Sequence, residues 1–348
     1  MTQSAAPATD REASVGRLNY LASSVPSSLY RNGKMLLRRN ADGSDSELEG
    51  VVFDERQVTV RNARLLEGDQ RRTAEKNGVE LVFRPLAHPD LDFLDHQDVI
   101  HKYYRECEQL VQEVTGAARV VAFDHNVRSA DGKRSEQRIR GGQEVQGPAR
   151  MAHGDYTLTS APERLRRLAQ EPCGNDTLRS AIAPGGSVLD PAEAEQAIGE
   201  NGRFAIINVW RNSADEPVAT HALALCDAQA VTPKDLGVFE LHYADRVGEN
   251  YFSKPDPGHA WYYYPALTRD EALLIKQWDS AGPLAQSKGQ RPDGDDPQAP
   301  CTFSFHSSFD EASPPPNAPA RWSIEVRCVV IYPTRVARQA EGLYDELQ

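Results

Sequence analysis

The feature that most constrains the fold of this 348-residue chain is a succession of short apolar runs, aromatic and β-branched, with turn residues between them. From the middle of the chain onward these runs are 204–210, 222–225, 261–264, 273–278, 302–305 and 323–331. Each is too short for a typical helix and is bounded by Gly, Pro, Asn, Asp or Ser, which marks a strand. Long polar connections, 280–300 and the Pro-rich 313–319, separate the last three. Strands that follow one another without a helix after each one build a sandwich or jelly-roll rather than βαβ units.

The first half supplies the flanking parts. Residues 50–53, 57–60 and 79–83 read as extended pieces, and 119–124 as a buried strand. A helix is expected over 98–115, because Val99, Ile100, Tyr103, Tyr104, Cys107, Leu110, Val111 and Val114 form a stripe at a spacing of 3.6. Gly116 follows as its stop. Asp98 opens that helix as a cap. Residues 127–147 read as a polar loop, and 161–168 and 190–198 as short helices. The small, polar residues 1–15 predict a disordered tail. The remainder predicts one domain over 16–335: an N-terminal extension (16–125) and a mainly β jelly-roll core (119–335) with flanking helices.

Charge and cysteine content narrow the function. With 39 Lys+Arg against 51 Asp+Glu the net charge is −12, which argues against nucleic acid or an anionic membrane as partner, since both need clustered cations. No run approaches the ~18 apolar residues of a membrane span. The start lacks the basic-then-apolar order of a signal peptide, and the terminal Gln348 spoils an ER-retention signal. A cytoplasmic location is therefore expected, with the oligomeric state left open. The five cysteines, Cys107, Cys173, Cys226, Cys301 and Cys328, include no CxxC pair and read as reduced thiols in or near the core.

The chemistry starts from histidine-x-aspartate triplets, of which the chain has three. Nine histidines among 51 acidic residues produce such triplets by chance, so geometry must discriminate. In a strand, residues i and i+2 share a face and can grip one metal. Pro89 demotes His88-Pro-Asp90 to a loop, and Asp98 of His96-Gln-Asp98 is drawn to helix capping. His153-Gly-Asp155 runs into strand-like sequence, and Gly154 leaves room beside a metal. Far downstream His306 closes an apolar run, and Arg321-Trp-Ser323 opens the last strand with two donors on one face, suited to a carboxylate. Taken singly, His306 also reads as a half-buried strand histidine and Arg321 as a solvated strand start. Together, two imidazoles and a carboxylate make the facial triad of non-haem Fe(II) oxygenases. Its open positions suit 2-oxoglutarate and O2, with Arg321 placed for the distal carboxylate.

Several ordered blocks carry a family resemblance over roughly residues 17–332. They include Arg17-Leu-Asn-Tyr-Leu21, 115–125, His153-Gly-Asp-Tyr156, Asn208-Val-Trp-Arg211, 261–265, Lys276-Gln-Trp-Asp-Ser280, His306-Ser-Ser-Phe309 and 321–327. In these the chain resembles the fungal and bacterial hydroxylase/desaturase family that includes gibberellin-desaturase-like and cephamycin C-7 oxygenase-related proteins. The resemblance implies a double-stranded β-helix, Fe(II), 2-oxoglutarate and O2 as cofactors, and hydroxylation, desaturation or ring closure of a small secondary metabolite by C–H abstraction. The loops at 127–147 and 280–300 look long and polar for the family.

Further residues carry alternatives. Asn208 is a donor to the cosubstrate's C1 carboxylate or a core amide, and Trp210 shares its face. Arg327, on the face of Arg321, holds an anionic substrate or the cosubstrate, or forms a structural ion pair. Lys276 points inward near substrate or lies at an exposed edge. His125 reads as a structural hydrogen-bonder and His259 as a turn residue competing with His306 for the metal. The rival function is a cupin-like metal or small-molecule binding barrel without oxidative activity, which has no need of an Arg-x-Ser clamp.

Overall fold

The computed structural model describes residues 11–38, 46–174, 176–243, 246–311 and 317–334. Along the chain, β1 (Ala13–Leu21), β2 (Leu36–Arg38), β3 (Phe53–Asn62) and β4 (Val79–Phe83) come first. A helical stretch follows, made of α1 (His96–Asp98), a π-helical turn (Val99–Tyr103) and α2 (Tyr104–Thr115). Next are β5 (Arg119–Ser129), α3 (Ala130–Arg134), β6 (His153–Gly154), α4 (Ser160–Leu168) and α5 (Pro191–Ile198). The remaining elements are β7 (Phe204–Asn212), β8 (Leu223–Cys226), β9 (Leu236–His242), β10 (Val247–Ser253), β11 (Trp261–Tyr263) and β12 (Glu271–Asp279), then α6 (Pro283–Gln286), β13 (His306–Ser308), β14 (Asp310–Glu311) and β15 (Trp322–Ile331).

The strands form two sheets. The larger is ordered β14-β1-β3-β11-β8-β13-β6-β10-β9-β2, the smaller β4-β12-β7-β15-β5. One contiguous apolar core, from Leu18 to Ile331, draws side chains from both, and the mainly β jelly-roll expected from the sequence is what forms. β7 is buried along its whole length, as befits a central strand with α2 packed against it, its neighbour β15 and, beyond that, β5. Two registers matter for the site. β6 lies between β10 and β13, with His306 paired to His153. β15 sets Arg327 opposite Asn208 on one side and Asp124 on the other.

The structure departs from expectation in several places. Residues 13–15 belong to β1, because Ser14 and Val15 pair with β3; residues 1–10 and 335–348 lie outside the described residues. β5 continues to Ser129, paired with β15 to its end, and α3 follows, so the stretch 127–147 is not all loop. The helix is capped by Asp95, whose carboxylate accepts from the Gln97 and Asp98 N–H groups at 2.9 and 3.1 Å. Asp98 instead pairs with Lys102 one turn on. The downstream strand begins at His306, just after the apolar run 302–305. β9 and β10 were not anticipated, although β10 holds the edge of His153.

Gly116 closes α2 in the left-handed region at φ 64°, with its N–H bonded to the Gln112 carbonyl, and nothing within 4 Å of where a Cβ would sit. Any penalty for a side chain there is purely conformational. Gly116→Ala should cost about 1 kcal/mol of stability, measurable by denaturant unfolding, with iron content unchanged.

Candidate metal centre

β6 carries His153, and Asp155 follows in the turn after it. The site's local shape starts with Gly154, whose position differs from the expected vacancy beside a metal. A Cβ there would lie 2.9 Å from the Phe303 ring, so the aromatic core rather than the metal side requires glycine. Across the β6–β13 pairing the His153 and His306 rings lie 4.3 Å apart, centroid to centroid. Ligand atoms of His153, Asp155 and His306 all fall within 4.8 Å of one another.

Each of the three is aimed by a neighbour. His153 donates from Nδ1 to the Met151 carbonyl at 2.6 Å, which turns Nε2 towards Asp155 Oδ1, 3.5 Å away. Oδ2 of Asp155 accepts from Asn208 Nδ2 at 2.9 Å and from Arg327 Nε at 3.3 Å. Gln277 accepts the Asp155 N–H at 2.9 Å and places its Nε2 3.4 Å from His306 Nδ1. Burial raises the Asp155 pKa, but Arg327 and the two imidazoles outweigh it and hold the carboxyl well below the usual range. Burial, reinforced by His153, pushes His306 down to about 3. Two neutral imidazoles and one carboxylate oxygen, with Nδ1 of His153 and Oδ2 of Asp155 tied back, fit a divalent metal with open positions.

The other expected residues separate into two groups. Arg321 is buried, its Nη1 donates to the His221 carbonyl, its Nε has no partner, and its guanidinium lies 5.8 Å over the Trp210 ring. Burial, helped by Arg128, pushes its pKa down to about 9. Ser323 is buried on the same face, its Oγ 3.5 Å from the Arg128 carbonyl. This end of the floor fits an incoming carboxylate.

Asn208 and Arg327 belong to the other end. The Asn208 amide donates to Asp155 and, at 2.9 Å, to Glu325 Oε1. Both of its amide hydrogens are thereby engaged, the core-amide alternative of the two. Arg327 reaches Asp124 at 2.9 Å and Glu325 at 3.5 Å as well as Asp155, the ion-pair alternative of the two. Lys276 is buried rather than at an exposed edge, and it is not in the site. Its Nζ donates to Asp279 at 3.0 Å and to the Glu75 and Cys301 carbonyls. His125 accepts or donates at Tyr104 Oη, 2.9 Å away, and burial pushes it down to about 4. His259 is enclosed by Tyr20, Trp261 and Phe305 and lies 3.3 Å from Asp235.

Three residues of the site escaped the sequence reading. Glu325 sits between Ser323 and Arg327 in the same alternation, so strand parity alone could have found it. Burial and Asp155 raise its pKa. Arg128 stands opposite Ser323 in the β5–β15 register, which only the pairing reveals. Gln277 faces the site because the β12–β7 register shifts between Lys276 and Trp278, a bulge no sequence rule locates.

A jelly-roll that brings two imidazoles and a carboxylate together, with a buried guanidinium whose Nε lacks a partner at the start of β15 in the facing sheet, defines the non-haem Fe(II)/2-oxoglutarate-dependent oxygenase class. A family model described as an oxidoreductase/YMDC permease-like domain matches residues 18–331, and the chain belongs to that family. Among the described residues no helix is long and apolar enough to cross a membrane. The chain is 40% identical over 195 residues to the "uncharacterized protein in dcmA 3′region" of Methylophilus leisingeri, covering 56% of this chain and 88% of the relative. It is 28% identical over 313 residues to the hydroxylase/desaturase efuI of Hormonema carpetanum, covering 85% and 92%. The solved iron and alpha-ketoglutarate-dependent endoperoxidase NvfI shares the fold, with a TM-score of 0.66, 22% identity and coverage of 92% and 99%. The resemblance read from the sequence blocks is borne out.

Among the described residues Arg327 is the one guanidinium or ammonium paired with Asp155, and it also faces Asp124 and Glu325. Arg327→Met should therefore cost about 3–5 kcal/mol, read by denaturant unfolding of the metal-free protein. Adding Asp155→Asn, which removes the stranded charge, should recover part of that loss.

Proposed function

We propose that this protein is an Fe(II)- and 2-oxoglutarate-dependent oxygenase that hydroxylates, desaturates or cyclises a small secondary metabolite. It acts as a single catalytic unit over residues 16–335, in the cytoplasm, without nucleic acid or membrane as partner. The observation that carries the reading is the pairing of the three ligand atoms within 4.8 Å with a buried guanidinium whose Nε has no partner.

His153 through Nε2, Asp155 through Oδ1 and His306 would hold the metal. Fe(II) bound there, with 2-oxoglutarate and O2, supplies the oxidising power for C–H abstraction as succinate and CO2 are released. The chain's own contribution is placement. Asn208 and Arg327 keep Oδ2 of Asp155 occupied, so that one oxygen alone faces the metal. Gln277 ties the Asp155 backbone to His306, so the ligands from two strands move together. Arg321, with Ser323 beside it, receives the distal carboxylate of 2-oxoglutarate, and Trp210 walls that carboxylate off from water. A cupin-like binder would gain nothing from burying an unpaired arginine, whose desolvation costs several kcal/mol until an anion arrives.

Two tests follow from these assignments. Anaerobic addition of Fe(II) and 2-oxoglutarate should give a weak visible charge-transfer band that needs both. His306→Ala should lose the band and the iron, whereas His259→Ala should keep both; the reverse pattern, read by elemental analysis, would move the third ligand. Arg321→Gln should keep iron but raise the 2-oxoglutarate concentration for half-maximal band intensity about 30-fold or more, since a desolvated charge pair is worth ~2 kcal/mol at least. An unchanged requirement would place the clamp elsewhere.

A further inference from the structure

The metal end of the small sheet's floor has spent its donors. Both Asn208 amide hydrogens go to Asp155 and Glu325. Arg327 turns Nε to Asp155, Nη1 to Asp124 and Nη2 to Glu325, at 3.3, 2.9 and 3.5 Å. Lys276 is engaged elsewhere, by Asp279. A 2-oxo acid that chelates a metal brings a carboxylate to the metal's side, and none of these groups is left to meet it.

Arg128 is free to do so. In the β5–β15 register it stands opposite Ser323, as Asn126 stands opposite Glu325 and Asp124 opposite Arg327. Residues directly opposite each other share a face, so Arg128 lies on the floor with them, two positions nearer than Arg321 to the Asp155 end. Its partly buried guanidinium donates to one acceptor, the Gly147 carbonyl, at 3.0 Å. Among the described residues no carboxylate forms an ion pair with it, because the three at this level are held by Arg327. Burial pushes the Arg128 pKa down, Arg327 adds to that, and Glu325 and Asp155 offset it only in part. The same charge opposes the charged forms of Arg321 and of His306, so it is felt both at the clamp and at the metal ligands. The floor thus carries two guanidinium groups without an ion pair, Arg128 and Arg321, and such groups are costly until anions complete them. The cosubstrate is a dianion.

Resting on the oxygenase reading, we propose that Arg128 binds the metal-end carboxylate of 2-oxoglutarate while Arg321 holds the distal one. The test titrates the full chain, loaded anaerobically with Fe(II), with 2-oxoglutarate and with 2-oxopentanoate, which keeps the chelating end and lacks the distal carboxylate. Arg128→Gln should keep its iron and raise the concentration for a half-maximal charge-transfer band about tenfold or more with both acids. Arg321→Gln should do so with 2-oxoglutarate alone. Arg128→Lys, which keeps the charge without the planar fork, should fall between wild type and Arg128→Gln. Denaturant unfolding of the metal-free protein should find Arg128→Gln no less stable than wild type, since its loss relieves Arg321 of a like charge; a purely structural arginine would give the opposite. An Arg128→Gln protein that titrates 2-oxoglutarate as wild type does overturns the assignment, as does one impaired with 2-oxoglutarate but not with 2-oxopentanoate. A wild-type protein without the band sinks the oxygenase reading itself, whereas a normal wild-type band with either of those failures sinks only the role of Arg128.

Discussion

The structure depends on how the charge of Asp155 is kept out of water. A lone carboxylate buried between two sheets would take up a proton and cease to be a useful ligand. Here Arg327 crosses from β15 to reach Oδ2, and its remaining nitrogens are shared between Asp124 on β5 and Glu325 on its own strand. The guanidinium is thereby kept charged against its own burial. Both register shifts of the small sheet fall at this level: one between Lys276 and Trp278, the other between Arg327 and Cys328. A bulge re-aims the side chains around it, and the one in β12 directs Gln277 onto Asp155 where a regular ladder would not. The sheet is irregular where the ligand needs support.

The small sheet's floor is consequently polarised. At the Asp155 end the charges close among themselves: carboxylates of Asp124, Glu325 and Asp155 surround one guanidinium, with Asn208 bridging two of them. At the Arg321 end a buried cation meets a carbonyl, an aromatic face and the repulsion of Arg128, and among the described residues no carboxylate forms an ion pair with it, Glu325 offsetting its burial only in part. Its lowered pKa, to about 9, expresses the same imbalance. A fold tolerates that cost where an anion completes it. The arrangement separates the two tasks of the floor, ligand support at one end and anion reception at the other, along four alternating positions from Arg321 to Arg327 at the start of β15.

That separation explains what was legible in the sequence. Strand parity alone placed His153 with its triplet, put Arg321 and Ser323 on one face and added Arg327 to it, because alternation survives any fold that keeps the strand. Gly116 was legible for the same reason, being a purely local signal. The roles of Asn208 and Arg327 were not, since they depend on which strand lies opposite: Arg327 faces Asn208 and Asp124 only because β15 sits between β7 and β5. Lys276 misled because its apolar neighbours say nothing of Asp279, which is three residues on and turned back by the same bulge that frees Gln277. Gly154 was assigned the right scarcity of space and the wrong neighbour, Phe303 being 149 positions away in sequence but in contact in the fold.

The ligand strands are themselves among the shortest described, two residues for β6 and three for β13. Strands so short cannot orient a side chain by their own ladder bonds, so the orientation must come from outside. It comes from the Met151 carbonyl for His153, from β7 and β15 for Asp155, and from β12 for His306. Contacts from residues 151 to 327 converge on three ligand atoms, and none of these supports is adjacent in sequence to all the ligands it serves. The centre is thus complete only when both sheets are assembled, and a metal bound there stabilises the whole jelly-roll rather than one motif within it.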